Sequence, residues 1–390
     1  MKTFVQFGAG NIGRSFIARL FASAGYAPVF VDVDPTLIAL LNARGAYPVV
    51  VKKNDGPDET LLVEGVRAID GRKKEAVLEA LLSADAAATS VGQRGLLSVF
   101  PSLAAALVAR KAQGRPPLDL IIAENIRSGA AFFRQHLTPL LPLGFPLDQH
   151  LGLVETSIGK MVPIMPPAAL VADPLQLFAE PYDTLIADRQ GFLQALPPLA
   201  GLKAVDNIAA WVDRKLFLHS LSHASLAYFA YQADPTLVYV WQAMQVPVVV
   251  AAVRAALQQS MAALLRAYPN DLNADELSEH ADDLLQRYQN RALGDTLHRV
   301  GRDLARKLSH DDRLIGACLL AARYALPFDQ IVPAVRAALK FAAPDEQGRV
   351  ADVEILQAAA QNSRQTLFDL AKLDLANPLE RQVLDACFAA

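Results

Sequence analysis

The chain has 390 residues, 53% of them hydrophobic and 20% charged, with a formal net charge of −3. That length exceeds one ordinary core and predicts two domains; the composition excludes a globally disordered chain, and the charge balance supplies no overall basic field for nucleic acid. Only two cysteines occur, Cys318 and Cys387, too few for a disulfide framework or a Cys-rich metal site, so a reducing, cytoplasmic setting is expected. An enzyme is the leading class and a small-molecule-binding protein the second.

Residues 1–7 are β-prone, and the chain enters this strand with no charged and apolar leader before it. Gly8-Ala9-Gly10-Asn11-Ile12-Gly13 follows, and then a helical pattern over residues 14–25. Residues 27–33 read as a second strand, and residues 35–45 as a helix ending at Gly45. The β-rich segments 47–52 and 60–66 bracket the turn Asn54-Asp55-Gly56-Pro57-Asp58. Residues 86–91 read as a buried strand, 95–111 as a helix, and 118–123 and 151–154 as further short strands. Strands alternating with helices predict βαβ units and a mostly parallel sheet.

The composition changes across the proline-rich stretch 163–198. From Asp206 onward the period is helical, and Pro378 is placed to open a closing helix that runs to about Phe388. The expected division is therefore an α/β dinucleotide-type domain over residues 1–195 and a mainly helical domain over residues 196–390. The longest apolar stretch, residues 246–265, is interrupted by Arg254 and Gln258-Gln259-Ser260, so no membrane span is expected.

A Gly-x-Gly-x-x-Gly signature is weak alone and gains weight from its context. The first glycine permits the tight turn, the second lets the backbone approach a pyrophosphate, and the third allows close helix–strand packing. Gly8, Ala9, Gly10, Asn11, Ile12 and Gly13 stand between strand and helix, as that chemistry requires. Asp32 ends the second strand, where an acid meets the ribose hydroxyls and favours NAD over NADP; Asp34 is the competing acid. Val91 and Gly92 close the strand at 86–91 and are expected to touch the cofactor, an ordinary β-to-α turn being the alternative.

Residues 211–231 read as a helix that is apolar nearly all round, hence buried. Lys215, His219, Ser222 and His223 fall at i, i+4, i+7 and i+8 and share one stripe. Burial lowers a lysine pKa, and a lowered lysine is a competent general base for an alcohol that loses its hydride to a nicotinamide. The competing account is a lysine snorkelling at an edge beside two core histidines bonded to backbone. No metal site is expected: there is no HExxH, and His219 with His223 lack an evident third ligand.

These residues carry a family likeness. The opening FGAGNIGR, the Asp32 strand, Ala123-Glu124-Asn125, Val154-Glu155-Thr156-Ser157, Asp206-Asn207, the run DRKLFLHSLSHA and the segment from Arg299 to Ile315 resemble the polyol-specific long-chain dehydrogenases, and within them the mannitol-1-phosphate 5-dehydrogenase branch. The resemblance implies a Rossmann-type domain followed by a helical substrate domain, metal-independent catalysis and a monomer. By the same resemblance Lys215 is the catalytic base, His223 and Asn125 hold the reacting oxygen, and Arg306 binds substrate, with His219 beside it. Arg306 lies among Arg302, Lys307 and Arg313, a cluster suited to a phosphate or carboxylate; pairing with Asp303, Asp311 and Asp312 is the alternative.

Two positions depart from the family pattern. Ser220 stands where the family has an asparagine in the oxyanion pocket. Ile158-Gly159-Lys160-Met161 stands where the mannitol-1-phosphate enzymes show Val-Asp-Arg. The implied reaction is the NAD-linked interconversion of D-mannitol 1-phosphate and D-fructose 6-phosphate. The alternatives are an unphosphorylated polyol such as mannitol or arabinitol, a hexonate such as altronate, or a non-catalytic NAD sensor. The expected partner is a small sugar phosphate or polyol, with no nucleic acid and no membrane.

Overall fold

The computed structural model describes the whole chain apart from Asp55, Ile164 and Ala390. The expected turn at 54–58 therefore includes a residue outside the described ones, as does the end of the expected helical domain. The chain divides into two compact units, Met1–Ile208 and Ala209–Ala390.

In the first unit the strands, in chain order, are β1 Lys2–Phe7, β2 Tyr26–Asp32, β3 Ala46–Val51, β4 Glu59–Glu64, β5 Arg67–Asp70, β6 Ala86–Thr89, β7 Leu118–Ile122, β8 Leu151–Ile158, β9 Leu177–Ala179, β10 Leu185–Asp188 and β11 Leu202–Val205. Eight of these described strands form one sheet in the order β11-β10-β8-β7-β6-β1-β2-β5. The stretch from β5 to β8 is parallel throughout, and β10 runs antiparallel to β8. Because β1 lies between β2 and β6, the strand order reverses there, which opens a crevice at the carboxyl ends of the strands. This is the dinucleotide-binding order, with β3 and β4 split off as an antiparallel hairpin that β9 joins.

The sheet is buried on both faces, as parallel sheets require. Phe4 and Phe30 face one core with Phe16 and Phe21; Val5, Val29 and Val31 face the other with Leu103 and Phe133. Such strands read as short continuous apolar runs, which is how β1, β2, β6 and β7 are visible in the sequence. The strand expected at 60–66 is divided by Gly65, whose φ of +67° turns the chain out of the hairpin and into β5. The expected strand at 151–154 continues to Ile158. Residues 196–208, expected to begin the helical domain, supply β11, which pairs parallel with β10 and so belongs with the sheet.

The second unit is helical. Leu221–Ala233 is its central helix, with Leu221, Ser222, Ser225, Leu226 and Tyr228 fully buried, and it packs on Pro247–Ala267 and Val332–Ala338. Helix Pro378–Phe388 opens with its proline at the first turn and an Asn377 cap, as the sequence indicates. Two described helices, Arg94–Ala112 and Pro247–Ala267, are long and apolar enough to cross a bilayer. In the second, Val249, Val253, Leu257 and Leu264 recur at helical spacing and are all buried, the pattern of a core-facing stripe.

Candidate active site

In the first unit a cleft of about 380 Å³ opens at the carboxyl ends of β1, β2 and β6. The three glycines of the turn meet three different local demands. Gly8 has φ +89°, and a Cβ there would lie 2.5 Å from the Ser90 carbonyl oxygen, so only glycine fits the turn. Gly10 lines the cleft, and a Cβ there would have no neighbour within 4 Å. Bare backbone thus faces the open space. A Cβ on Gly13 would fall 2.2 Å from the Gly8 carbonyl oxygen, which is close helix–strand packing. The helix after the turn starts as a π-helical segment, Gly13–Ala18, before Arg19–Ser23 continues as α. Single π turns recur at functional sites. These are the features a dinucleotide diphosphate requires, and the residues present fit one.

The two candidate acids separate by geometry. Asp32 lines the cleft and binds the turn itself: Ala9 N–H donates to Oδ2 at 2.7 Å and Val33 N–H to Oδ1 at 2.7 Å. Asp34 instead caps the helix Pro35–Arg44, accepting from the Thr36 and Leu37 N–H groups. Val91 also lines the cleft, while Gly92, at φ +76°, caps the helix Gln93–Ala112. Both of their N–H groups donate to the Glu124 carboxylate, at 2.8 and 3.0 Å, and burial raises the pKa of that carboxyl. Asn125 follows at the end of β7, on the exposed side of the same loop.

Arg72 is a cleft residue that the sequence did not single out. Its guanidinium forks onto Asp70 at 2.8 and 2.9 Å and reaches the Val33 carbonyl oxygen at 3.3 Å. The available signal was Gly71-Arg72 after a strand, obscured because residues 67–70 were not read as one. Lys160, the departure from the family pattern, is fully committed inside this unit. Its ammonium donates to the Glu180 and Tyr182 carbonyl oxygens and to Asp183, with no exposed side-chain surface. It replaces neither half of an Asp-Arg pair as a substrate contact; it ties the chain after β8 to the segment before β10.

In the second unit Lys215 opens another π-helical turn, Lys215–Ser220, between the α-helices Ile208–Arg214 and Leu221–Ala233. Burial lowers the Lys215 pKa to about 8, with Arg313 adding to the effect and Asp312 opposing it. His219 is buried and held well below its ordinary range by desolvation and then by Arg287; among the described residues its Nδ1 has no hydrogen-bond partner. His223 falls to about 3 for the same first reason, with Arg299 and Lys307 next. Both rings are therefore neutral at neutral pH, able to donate from one nitrogen and accept at the other.

Tyr288, also missed by the sequence reading, organises the two rings. It stacks on His223 at 4.8 Å between centroids and 7° between planes, and its hydroxyl donates to the His219 carbonyl oxygen at 3.0 Å. Asp295 stands 3.5 Å from His223 Nε2 and is paired with Arg299. Ser222, on the expected stripe, is turned inward: its hydroxyl donates to the Leu218 carbonyl oxygen at 2.7 Å and meets the Tyr288 hydroxyl at 2.9 Å. Ser220 is buried, and its carbonyl oxygen lies 3.5 Å from Arg313 Nη1.

Two members of the basic cluster, Arg306 and Arg313, are paired with carboxylates. Arg306 donates to Asp303 at 2.6 Å and to Asp312 at 3.5 Å, and Arg313 donates to Asp312 at 2.6 Å. Lys307 is buried, held by the Val300 and Arg302 carbonyl oxygens, and desolvation lowers it to about 7. Among the described residues no group of three or more His, Cys, Asp or Glu side chains is arranged to hold a metal ion.

Residues 2–201 match the family described as the mannitol dehydrogenase Rossmann domain, and residues 207–373 match the mannitol dehydrogenase C-terminal domain. Among solved structures, the ternary complex of Pseudomonas fluorescens mannitol 2-dehydrogenase with NAD and D-mannitol aligns with a TM-score of 0.79 at 16% identity, over 99% of this chain and 91% of that one. A D-sorbitol dehydrogenase in substrate-free form aligns with a TM-score of 0.77, also at 16% identity, over 98% and 91%. At such identities the likeness is one of fold.

Proposed function

We propose, from the premise that the chain belongs to the mannitol dehydrogenase family, that its substrate is an unphosphorylated polyol of the mannitol or arabinitol type. At family level the protein is an NAD-dependent oxidoreductase acting on a polyol CH–OH group. The nicotinamide, when bound, accepts or supplies the hydride. The residues Gly8, Ala9, Gly10, Asn11, Ile12 and Gly13 hold the diphosphate, Asp32 the adenosine ribose, and Val91 with Gly92 shape the loop beside them.

Lys215 takes the hydroxyl proton as the alcohol is oxidised. A base near 8 keeps a useful fraction neutral at physiological pH yet is strong enough to accept the proton. Neutral His223 donates to the developing oxyanion, and Asn125 keeps the oxygen-binding role that the resemblance implies. His219 offers an uncommitted ring nitrogen to a second hydroxyl. The shorter Ser220 side chain, with a single hydroxyl donor, takes the place of the family asparagine.

One observation carries the choice of a neutral substrate. Arg306 and Arg313, the cationic pair closest in charge effect to Lys215, are already balanced by Asp303 and Asp312. A phosphate or carboxylate would displace those carboxylates or sit against them, and like charges in close contact repel. The two similar structures, a mannitol 2-dehydrogenase bound to NAD and D-mannitol and a D-sorbitol dehydrogenase, agree with a free polyol. A substrate panel tests this: NADH formation with mannitol, sorbitol and arabinitol against mannitol 1-phosphate and altronate. The free polyols are expected to show the highest kcat/KM. A kcat/KM for mannitol 1-phosphate well above that for mannitol overturns the proposal and restores the phosphate role of Arg306.

A further inference from the structure

The turn at residues 8–13 rests on a buried cation that has no carboxylate. Arg14 is the first residue after Gly13 and is 6% exposed. Its Nε donates to the Ala9 carbonyl oxygen at 2.6 Å, and Nη1 donates to the Leu175 carbonyl oxygen at 2.9 Å. The Tyr47 ring lies 5.7 Å from the guanidinium carbon, and the Tyr47 hydroxyl donates to the Arg14 carbonyl oxygen at 2.8 Å. Among the described residues Arg14 has no ion pair. The acids whose field reaches it, Asp32 and Asp173, have other partners: Asp32 accepts from the Ala9 and Val33 N–H groups, and Asp173 pairs with Arg44 at 2.7 Å. A buried charge met by carbonyl dipoles and a ring face, with no carboxylate beside it, is costly. Every other deeply buried arginine or lysine need not act on a ligand, but this one is bonded to the second residue of the turn that faces the diphosphate.

We infer that Arg14 is a positioning residue for the diphosphate of NAD: its Nε–Ala9 bond fixes the orientation of the turn peptides, and its guanidinium supplies a positive charge from behind the turn that the diphosphate balances. The two effects add at one place. The Ala9 carbonyl accepts from the guanidinium, neither Ala9 nor Arg14 is among the residues that line the cleft, and the low-dielectric surroundings leave the charge poorly screened. The adenine and ribose, held by other residues, gain nothing from it.

The experiment measures two dissociation constants on the full chain, for ADP-ribose, which carries the diphosphate, and for adenosine, which does not. Arg14→Gln removes the charge and keeps a donor; Arg14→Lys keeps the charge and loses the fork. Tyr47→Phe is the packing control, since Tyr47 is equally buried and touches the same residue. Arg14→Gln is expected to weaken ADP-ribose by roughly tenfold to a hundredfold, the range for a hydrogen bond to a charged group, with adenosine within about twofold. Arg14→Lys falls between wild type and Arg14→Gln, and Tyr47→Phe leaves the ratio of the two constants unchanged. Equal losses for ADP-ribose and adenosine, no loss at all, or the same ratio change in Tyr47→Phe overturns the inference. If Arg14→Gln does not fold, Arg14→Lys decides alone: a ratio changed by about threefold or more supports it, and an unchanged ratio overturns it. None of these constants depends on which polyol is turned over, so this test and the substrate panel fail independently.

Discussion

The turn at residues 8–13 and the π-helical turn Lys215–Ser220 are built on opposite logics. The first is defined by what is absent. Gly8 and Gly13 lack a Cβ because carbonyl oxygens occupy its place, at 2.5 and 2.2 Å, and Gly10 leaves its backbone bare to the cleft. The second is defined by what surrounds it. Lys215 is an ordinary lysine whose base strength is set by burial, by Arg313 and Arg306, and by Asp312, residues about ninety to a hundred positions further on. A binding turn is therefore written locally, and a tuned base is written by the tertiary fold. Substitutions at the two places should fail in different ways.

The largest effect is expected at the lysine. Lys215→Ala should lower kcat by roughly 10²–10⁴-fold, the usual worth of a positioned general base, while the dissociation constant for NAD(H) stays within about twofold. In the wild type the rate of polyol oxidation should rise with pH up to about 8 and level above it, since the neutral amine is the working form. Carbonyl reduction needs the ammonium and should fall above the same pH. A variant that keeps full activity would remove the base assignment; a wild type that turns over no polyol at all would favour a protein that only senses NAD.

At the turn, two glycines separate fold from function. Gly13→Ala forces a Cβ against the backbone of Gly8, and such overpacking costs about 1–3 kcal/mol. It should lower the melting temperature before any question of binding arises. Gly10→Ala meets no protein atom within 4 Å, so the melting temperature should hold while NAD affinity drops, on the order of tenfold, because the new methyl lies where the diphosphate approaches. If Gly10→Ala binds NAD normally, the diphosphate does not lie on that face of the turn.

The same contrast explains what the sequence made legible. Strands β1, β2, β6 and β7 are short apolar runs with glycine or acid at their ends, so their positions are visible without knowing what they pair with. Strands β9, β10 and β11 have three or four residues each, the first two inside the proline-rich stretch and the third just after it, and only their neighbours make them strands. The helix Lys74–Ser83 has no side-chain cap to announce it. Helical spacing placed Lys215, His219 and His223 together, but a π turn leaves no period in the sequence, and the Ser222 hydroxyl is taken up by the Leu218 and His219 carbonyl oxygens and the Tyr288 hydroxyl. Arg14, Glu124, Tyr288 and Asp295 act on residues that were legible, through contacts that are long-range or hidden. Lys160 shows the converse: it stands out in the sequence as a departure from the family pattern, and three acceptors inside its own unit account for its charge.

Acid should distinguish the two units by a smaller effect of opposite sign. In the C-terminal unit His219, His223 and His280 are held neutral by burial, His223 and His280 at about 3. Their folded pKa lies below the unfolded value of 6.5, so the unfolded chain binds more protons between the two values. The stability they allow is complete above about 6.5 and is lost as pH falls toward 3; at pH 5 His223 alone is worth about 2 kcal/mol. In the N-terminal unit burial raises Asp119 and Glu124 instead, so lowering the pH relieves their desolvation and favours the fold. Both tryptophans, Trp211 and Trp241, lie in the C-terminal unit, so their fluorescence follows its unfolding alone. Between pH 7 and pH 5 the tryptophan transition should move to lower denaturant concentration, and in His223→Leu it should move less. A midpoint that does not shift with pH would mean that these rings take up protons in the folded state, and His223 could then meet the alkoxide as a cation rather than as a neutral donor.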